Sequence, residues 1–131
     1  TDIRFTYRCS DIDDAFVIIG VDLRLRKDDR HMIRQRMEEY LRVRRQKQPS
    51  GYSAGSFFKN PPGHAAGELI EICGLKGMAV GDAEISRKHG NYIMNKGRAR
   101  AADVMALAEQ IRRVVLSRTG IELEQEVRLL G

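Results

Sequence analysis

The sequence has little cysteine and histidine, the residue types on which disulfide frameworks and most transition-metal sites depend. It contains two cysteines, Cys9 and Cys73, and three histidines among its 131 residues. The cysteines lie far apart in the chain, and no histidine stands at a metal-ligand spacing from them. We therefore predict two free thiols, no disulfide and no metal site, a pattern typical of a cytoplasmic protein.

Long apolar runs are also absent. No run approaches the roughly 20 residues that a membrane-spanning helix needs, and the first residues do not resemble a secretion signal. The chain starts at Thr1 rather than at methionine, which predicts processing, or a cut, within a longer protein. The hydrophobic content of 42% and the length fit one globular domain, or one domain with a piece of another.

Positive charge is concentrated in one part of the chain. Residues 24–47 hold ten Lys or Arg against four Asp or Glu, a formal charge of +6, while the whole chain carries +5. Such a patch indicates a phosphate-bearing partner, although solvated helices often carry similar charge. A non-catalytic module that docks on nucleic acid through a basic helix at 28–47 is therefore one hypothesis. Aromatic residues make up only 6% of the chain, and the stacking platforms of single-strand binders are missing.

The spacing of apolar residues predicts a mixture of strands and helices that do not alternate regularly, which favours an α+β fold. Asp28 or Asp29 can cap the first helix, Pro49 ends it, and Gly120 ends the last helix. In the first half of the chain we predict a strand running into a turn at 2–10, a strand at 15–26, a helix at 27–49 and a loop at 49–56. In the second half we predict a helix within 64–77 with Gly74 as its C-terminal stop, two or three short strands within 78–95 with turns at Gly81 and Gly90, and a helix at 98–120. The last predicted element is a strand at 121–130, with Ile121, Leu123 and Val127 as its apolar positions.

Five stretches resemble one family and keep its order. They are "YRCS" (7–10), "SAGSFFKNP" (53–61), "AGELIEICGLKG" (66–77), "GDAEISRKHGNYIMNKGRA" (81–99) and "GIELEQEVRLLG" (120–131). Together they resemble the UDP-N-acetylenolpyruvoylglucosamine reductase (MurB) family over nearly the whole chain. The short connection between the strand at 15–26 and the next helix is similar to the family's shorter subtype, which lacks a loop with a substrate-closing tyrosine.

The resemblance implies a domain organisation. Residues 28–131 would form the substrate-binding domain, with helices packed on a mixed or antiparallel sheet. Residues 1–27 would be the last strands of the FAD-binding module, and the rest of that module would precede Thr1. The implied boundary lies near Lys27.

The resemblance also implies an activity. Such enzymes pass a hydride from NADPH to FAD, and then to the enolpyruvyl group of UDP-N-acetylglucosamine enolpyruvate, which yields UDP-N-acetylmuramate for bacterial peptidoglycan. The implied location is the bacterial cytoplasm, with no nucleic-acid or membrane partner. This chain alone, without most of the FAD-binding module, is expected to be inactive.

Three residues match the family's catalytic positions. Hydride addition leaves negative charge beside a carboxylate, so the site needs an acid and groups that stabilise an anion. The resemblance makes Ser56 the proton donor, and Arg8 and Glu126 the residues that stabilise or protonate the intermediate. Gly55 would let the backbone and the substrate approach closely. The plain alternatives are a loop serine, a surface arginine and a solvated acidic strand.

Further residues match the family's binding positions. Arg44 and Lys47, three apart near a helix end, could reach one diphosphate, or could simply complement the helix C-terminus. Lys59 could instead pair with an acid or favour NADPH, and Arg128 could be a surface residue rather than a flavin contact. The implied substrate-binding residues are Arg44, Lys47, Lys59, Asn60 and His89, and the implied cofactor-binding residue is Arg128.

Overall fold

In the computed structural model the chain divides into two compact units, residues 1–38 and 39–131, and each is described here by itself. The structure describes residues 3–13 and 15–129. The division falls inside the first helix rather than near Lys27. The assignment of residues 1–27 to an FAD-binding module and of 28–131 to a substrate domain stays a prediction.

The first unit opens with a hairpin instead of one strand. Strands β1 (Phe5–Thr6) and β2 (Cys9–Ser10) pair antiparallel, with Phe5 opposite Ser10 and Thr6 opposite Cys9. Tyr7 and Arg8 therefore form a two-residue loop at its tip. Cys9 is exposed and Cys73 is buried, and both thiols are free.

The predicted strand at residues 15–26 is wrong. Its described residues form no regular element, and the alternating apolar side chains are 71–98% exposed. An alternating apolar pattern stabilises a β-strand only where one face of the strand is covered and its backbone pairs with a neighbouring strand. No other described segment pairs with this one. The exposed alternating side chains are those of Val17, Ile19, Val21, Leu23 and Leu25.

Helix α1 (Arg30–Lys47) confirms the first predicted helix. Asp29 is its cap, since Oδ1 accepts hydrogen bonds from the backbone N–H groups of His31 (2.9 Å) and Met32 (3.1 Å). The helix ends two residues before Pro49, and basic side chains occupy its last turn.

The second unit contains a four-stranded antiparallel sheet. Its order is β3–β6–β5–β4, with the strands at Tyr52–Ser56 (β3), Ala79–Val80 (β4), Ala83–Ile85 (β5) and Tyr92–Asn95 (β6). The short strands predicted within 78–95 are therefore confirmed as three. The loop predicted at 49–56 is wrong over Tyr52–Ser56, because pairing with β6 outweighs the loop signal of its glycines and serines.

Two helices, α2 (Ala66–Ile72) and α3 (Ala101–Thr119), pack with this sheet around one apolar core. Gly120 adopts φ 72° at the end of α3, and its N–H donates to the carbonyl of Leu116 at 2.9 Å, as the predicted glycine stop requires. The predicted α+β class, with helices on an antiparallel sheet, is confirmed. Among the described residues, no helix combines the length and apolarity needed to cross a bilayer.

The strand predicted at 121–130 is wrong as an element, although its apolar pattern is correct. Leu123 is fully buried, and Ile121 and Val127 pack partly buried against the core. The only ladder contact in its described part is an isolated bridge between Gln125 and Phe58. The buried apolar side chains and two backbone hydrogen bonds, from Lys59 to Glu124 and from Glu126 to Phe57, hold the segment.

Gly90, predicted as a turn, supports a test of the packing. A Cβ at this position would lie 2.6 Å from the carbonyl oxygen of Gly67 and 3.2 Å from Cβ of Ile70. We expect Gly90→Ala to lower the free energy of unfolding, measured by urea denaturation, by about 1–3 kcal/mol. Gly20→Ala is the control, because a Cβ there meets nothing within 4 Å. Equal effects of the two substitutions would contradict this account of the packing.

Candidate functional site

Ser56 lies at the end of β3, immediately after an irregularity in its pairing. The register with β6 shifts between Ser53 and Ser56, and Gly55 adopts φ 84° within that interval. A Cβ on Gly55 would meet nothing within 4 Å of the chain, so its backbone angle, and not crowding, explains the glycine. The bulge redirects the strand and leaves the Ser56 side chain half-buried.

The two residues that follow Ser56 are anchored in the core. Phe57 and Phe58 are 2% and 1% exposed, and their rings meet edge to face with centroids 5.1 Å apart. Ser56 is therefore a partly exposed hydroxyl attached to a rigid, buried segment. Such an anchor limits how far the hydroxyl can move.

Asn91 holds this segment in place, and sequence reasoning missed its role. Its side-chain Oδ1 accepts the N–H of Phe58 and its Nδ2 donates to the carbonyl of Phe58, both at 2.8 Å. Its backbone carbonyl also accepts the N–H of Phe57 at 2.9 Å. The side chain is buried, so it replaces a strand neighbour where β-pairing has stopped. We call this arrangement the Asn91 clamp.

A cavity of ≈250 Å³ brings three of the predicted site residues together, namely Ser56, Asn60 and His89. Two acidic residues of α2, Glu68 and Glu71, line the same cavity. Lys88 and the Asn91 clamp also line it. The cavity therefore contains a hydroxyl, amides, an imidazole and charges of both signs.

His89 is oriented by its neighbours in this cavity. Its Nδ1 accepts the backbone N–H of Asn91 at 3.2 Å, and its ring meets that of Tyr92 edge to face. Partial burial, followed by the positive charge of Lys76, lowers the pKa of His89. Because Nδ1 is an acceptor, the neutral imidazole carries its proton on Nε2, which can donate to a ligand. Gly67 makes room for the ring, since a Cβ there would lie 2.8 Å from Cε1.

Asn60 and Lys59 each have a partner within the chain. Asn60 Oδ1 accepts the N–H of Ala66 at 3.0 Å, at the first residue of α2, and its amide nitrogen is not used in that bond. Lys59 Nζ lies 2.5 Å from a carboxylate oxygen of Glu124, which is the alternative raised for it from the sequence. A substrate contact for either residue stays a prediction.

A second cavity, of ≈810 Å³, is lined by one of the two predicted phosphate ligands. Arg44 and the neighbouring Arg45 contribute to its wall, together with Gly55 of the bulge. Lys47 is exposed at the end of α1 and is not among the lining residues. Lys88 lines both cavities, and the sequence analysis did not single it out.

The C-terminal segment lies against the residue next to Ser56. The N–H of Glu126 donates to the carbonyl of Phe57 at 2.9 Å, so Glu126 is adjacent to the anchored segment and is half-buried. Glu122 is exposed and pairs with Arg112 at 3.0 Å. Of the three alternating glutamates, Glu126 is the one that approaches the strand end carrying Ser56 through a backbone hydrogen bond to Phe57.

Arg8 and Arg128 are described apart from these cavities. Arg8, in the first unit, has φ 58°, the only positive φ of a non-glycine among the described residues, and its guanidinium lies 5.7 Å from the Tyr7 ring centroid. An arginine in this conformation costs free energy, and such strain clusters at functional sites. Arg128 is exposed in the second unit. Their catalytic and flavin-binding roles stay predictions.

The chain was compared with known proteins. The family model for the UDP-N-acetylenolpyruvoylglucosamine reductase C-terminal domain matches residues 46–130. The reductase of Moorella thermoacetica is 47% identical over 131 residues, with 99% of this chain and 43% of that protein covered. The reductase of Trichlorobacter lovleyi is 46% identical over 129 residues, with 98% and 43% covered.

A solved structure is also similar. The crystal structure of UDP-N-acetylenolpyruvylglucosamine reductase (MurB) from Thermus caldophilus superimposes with a TM-score of 0.84 at 43% sequence identity, covering 96% of this chain and 45% of that one. The chain thus spans less than half the length of the curated relatives it matches.

The Asn91 clamp provides a second test. Asn91→Ala leaves the N–H and the carbonyl of Phe58 without their partner, at a cost of about 1–3 kcal/mol for each group that stays unpaired. We therefore expect a large fall in the midpoint of urea unfolding. Asn95→Ala is the matched control, because Asn95 accepts from Gly97 and Ala99 in an exposed turn where water can replace it. A control that destabilises as much as Asn91→Ala would refute the special role of the clamp.

Proposed function

Because the chain belongs to the UDP-N-acetylenolpyruvoylglucosamine reductase C-terminal domain family, we propose that it is the substrate-binding part of an enzyme with that activity. The observation that carries the proposal is the cavity shared by Ser56, Asn60 and His89, within the segment that matches the family model. The reaction would reduce UDP-N-acetylglucosamine enolpyruvate to UDP-N-acetylmuramate, with NADPH as the hydride donor.

FAD would supply the hydride-carrying flavin ring in this reaction. Among the described residues, Arg128 fits a minor share in holding it, since its side chain is an exposed cation. We therefore assign most of the FAD-binding contacts to a part of the protein N-terminal to this chain. The reaction is expected only in the complete protein.

Ser56 is the proposed proton donor. Hydride addition to the enolpyruvyl double bond places negative charge on the carbon beside the carboxylate, and that carbon must gain a proton. A hydroxyl can supply it without adding a second permanent anion beside an anionic substrate. The clamp and the buried Phe57 and Phe58 support this role, because they anchor the backbone that carries the hydroxyl.

Arg8 and Glu126 are proposed to act on the same intermediate. A guanidinium stays charged and can grip a carboxylate at two points, so Arg8 suits stabilisation of the anion. Glu126 is supported by its backbone hydrogen bond to Phe57, one residue from Ser56. It would orient the intermediate or assist the proton transfer.

The nucleotide end of the substrate is proposed to occupy the larger cavity. Arg44 lines that cavity and would contact the diphosphate, with Lys47 as a second cation three residues further along α1. Asn60 and the Nε2–H of His89 would contact the substrate in the smaller cavity, which both residues line. Lys59, which pairs with Glu124, would be a further substrate contact. The alternative is a domain that binds nucleotide-sugar without turnover.

Ser56→Ala tests the proton-donor role in the complete, flavin-loaded protein. We expect NADPH to bleach the flavin at a nearly unchanged rate, because hydride transfer to the flavin does not need this hydroxyl. Reoxidation by the enolpyruvyl UDP-sugar should slow by about 10²–10⁴-fold, the usual contribution of a general acid. Stopped-flow absorbance of the two half-reactions measures both rates.

Ser117→Ala, on α3 and outside both site cavities, is the control and should leave both rates unchanged. Equal loss in the two half-reactions of Ser56→Ala would refute the proton-donor role. A colourless complete protein that still binds the nucleotide-sugar would favour the alternative without turnover.

The two α1 cations are tested by their effect on the Michaelis constant. Arg44→Ala and Lys47→Ala should each raise KM for the UDP-sugar and leave kcat nearly unchanged, because ground-state binding to the diphosphate is lost. Arg44→Ala should have the larger effect, since Arg44 lines the cavity. An unchanged KM in either variant removes that residue from the proposed phosphate site.

A further inference from the structure

Pro49 leaves the carbonyl of Arg45 without a helical partner. In an α-helix the carbonyl of residue i accepts the N–H of residue i+4, and proline has no N–H. The last such bond of α1 runs from the N–H of Gln48 to the carbonyl of Arg44 at 2.8 Å. The next carbonyl, that of Arg45, needs a donor from elsewhere.

Lys88 supplies this donor from a distant part of the chain. Its Nζ donates to the carbonyl oxygen of Arg45 at 2.5 Å, across 43 residues of sequence. The ammonium group also places a positive charge at the negative end of the helix dipole. The bond is charge-assisted, so it is stronger than an ordinary hydrogen bond between neutral groups.

The backbone that carries Lys88 is itself held. The buried Ser86 hydroxyl oxygen accepts the N–H groups of Lys88 (3.1 Å) and His89 (3.3 Å). The same segment, residues 86–91, then ends in the Asn91 clamp on Phe58. We call residues 86–91 the polar turn. It connects the anchored segment after Ser56 with the end of α1.

We propose that Lys88 is a positioning residue, which fixes the last turn of α1, and with it Arg44, relative to the polar turn and Ser56. It lines both the cavity with Arg44 and the cavity with Ser56, so it lies where the two adjoin. For the substrate, this sets the distance between the group that binds the diphosphate and the group that protonates the reacting carbon. This last step rests on the proposed function, whereas the anchoring of the helix end does not.

Hydrogen exchange in the complete protein tests the anchoring without substrate. Lys88→Met should speed exchange of the amides in the last turn of α1, including that of Gln48, because the end of the helix frays when the Arg45 carbonyl loses its donor. Lys88→Arg should restore protection, since a guanidinium can donate to the same carbonyl. Lys96→Met is the charge-matched control, as Lys96 pairs with Glu84 on the sheet. Unchanged exchange in Lys88→Met would overturn the proposal.

A double-mutant cycle with Arg44 tests the consequence for binding. Lys88→Met should weaken binding of UDP by about tenfold, because the free energy of the lost charge-assisted hydrogen bond to Arg45 corresponds to a factor of that order in the dissociation constant. After Arg44→Met, the further loss from Lys88→Met should be small, because Lys88 acts through the helix end that carries Arg44. Isothermal titration with UDP gives the four dissociation constants.

The outcomes separate the two proposals. Additive losses would mean that Lys88 contacts the phosphates by itself, and would overturn its positioning role. No effect of Arg44→Met would remove Arg44 from the phosphate site, and with it the substrate consequence proposed for Lys88. The exchange experiment would still decide whether Lys88 anchors α1.

Discussion

The second unit depends on one buried amide, the side chain of Asn91. Between Phe57 and Lys59 the chain has left β3 and has no regular strand on either side. Asn91 supplies the missing donor and acceptor on one side, and backbone bonds to residues 124–126 supply those on the other, from the N–H of Lys59 to Glu124 and from the N–H of Glu126 to Phe57. Buried backbone groups must be paired somewhere, and here one side chain does much of this work.

This arrangement explains how a small domain can fix the backbone that carries the Ser56 hydroxyl, the proposed proton donor. The conformational entropy that is lost when the Ser56 backbone becomes ordered is offset during folding by the burial of Phe57 and Phe58 and by the hydrogen bonds around them. If Ser56 is the proton donor, this anchoring removes the loss of conformational freedom that a serine on a mobile loop would undergo on binding substrate. The adjacent bulge changes the course of the strand just before Ser56, and the positive φ of Gly55 makes the bulge possible.

Much of the fold could be predicted from local pattern. The helices α1 and α3 followed from apolar spacing, a cap at Asp28 or Asp29 and a Gly120 stop, all of which act within one element; in the structure the cap is Asp29. The errors came where tertiary pairing decides. β3 has the composition of a loop but pairs with β6. Residues 15–26 have the alternating pattern of a strand but pair with no strand among the described residues.

The candidate site could be predicted only in part, for a related reason. The motif resemblance identified Ser56, Asn60 and His89, and the structure places all three on one cavity. Asn91 and Lys88 act through contacts 33 and 43 residues away in sequence, which no local pattern encodes. Pro49 was a usable signal, because it removes the partner of the Arg45 carbonyl, but it does not say which residue replaces it.

The uncovered stretch at 15–25 has a practical consequence for handling the chain. Its residues from Ala15 to Val21 combine high β-propensity with no charge and no proline, and their apolar side chains are exposed without a strand neighbour among the described residues. Such a segment is a template for edge-to-edge pairing between molecules. Preparations that begin at Thr1 should therefore self-associate as concentration rises, and cutting the chain after Lys27 should give a more soluble sample.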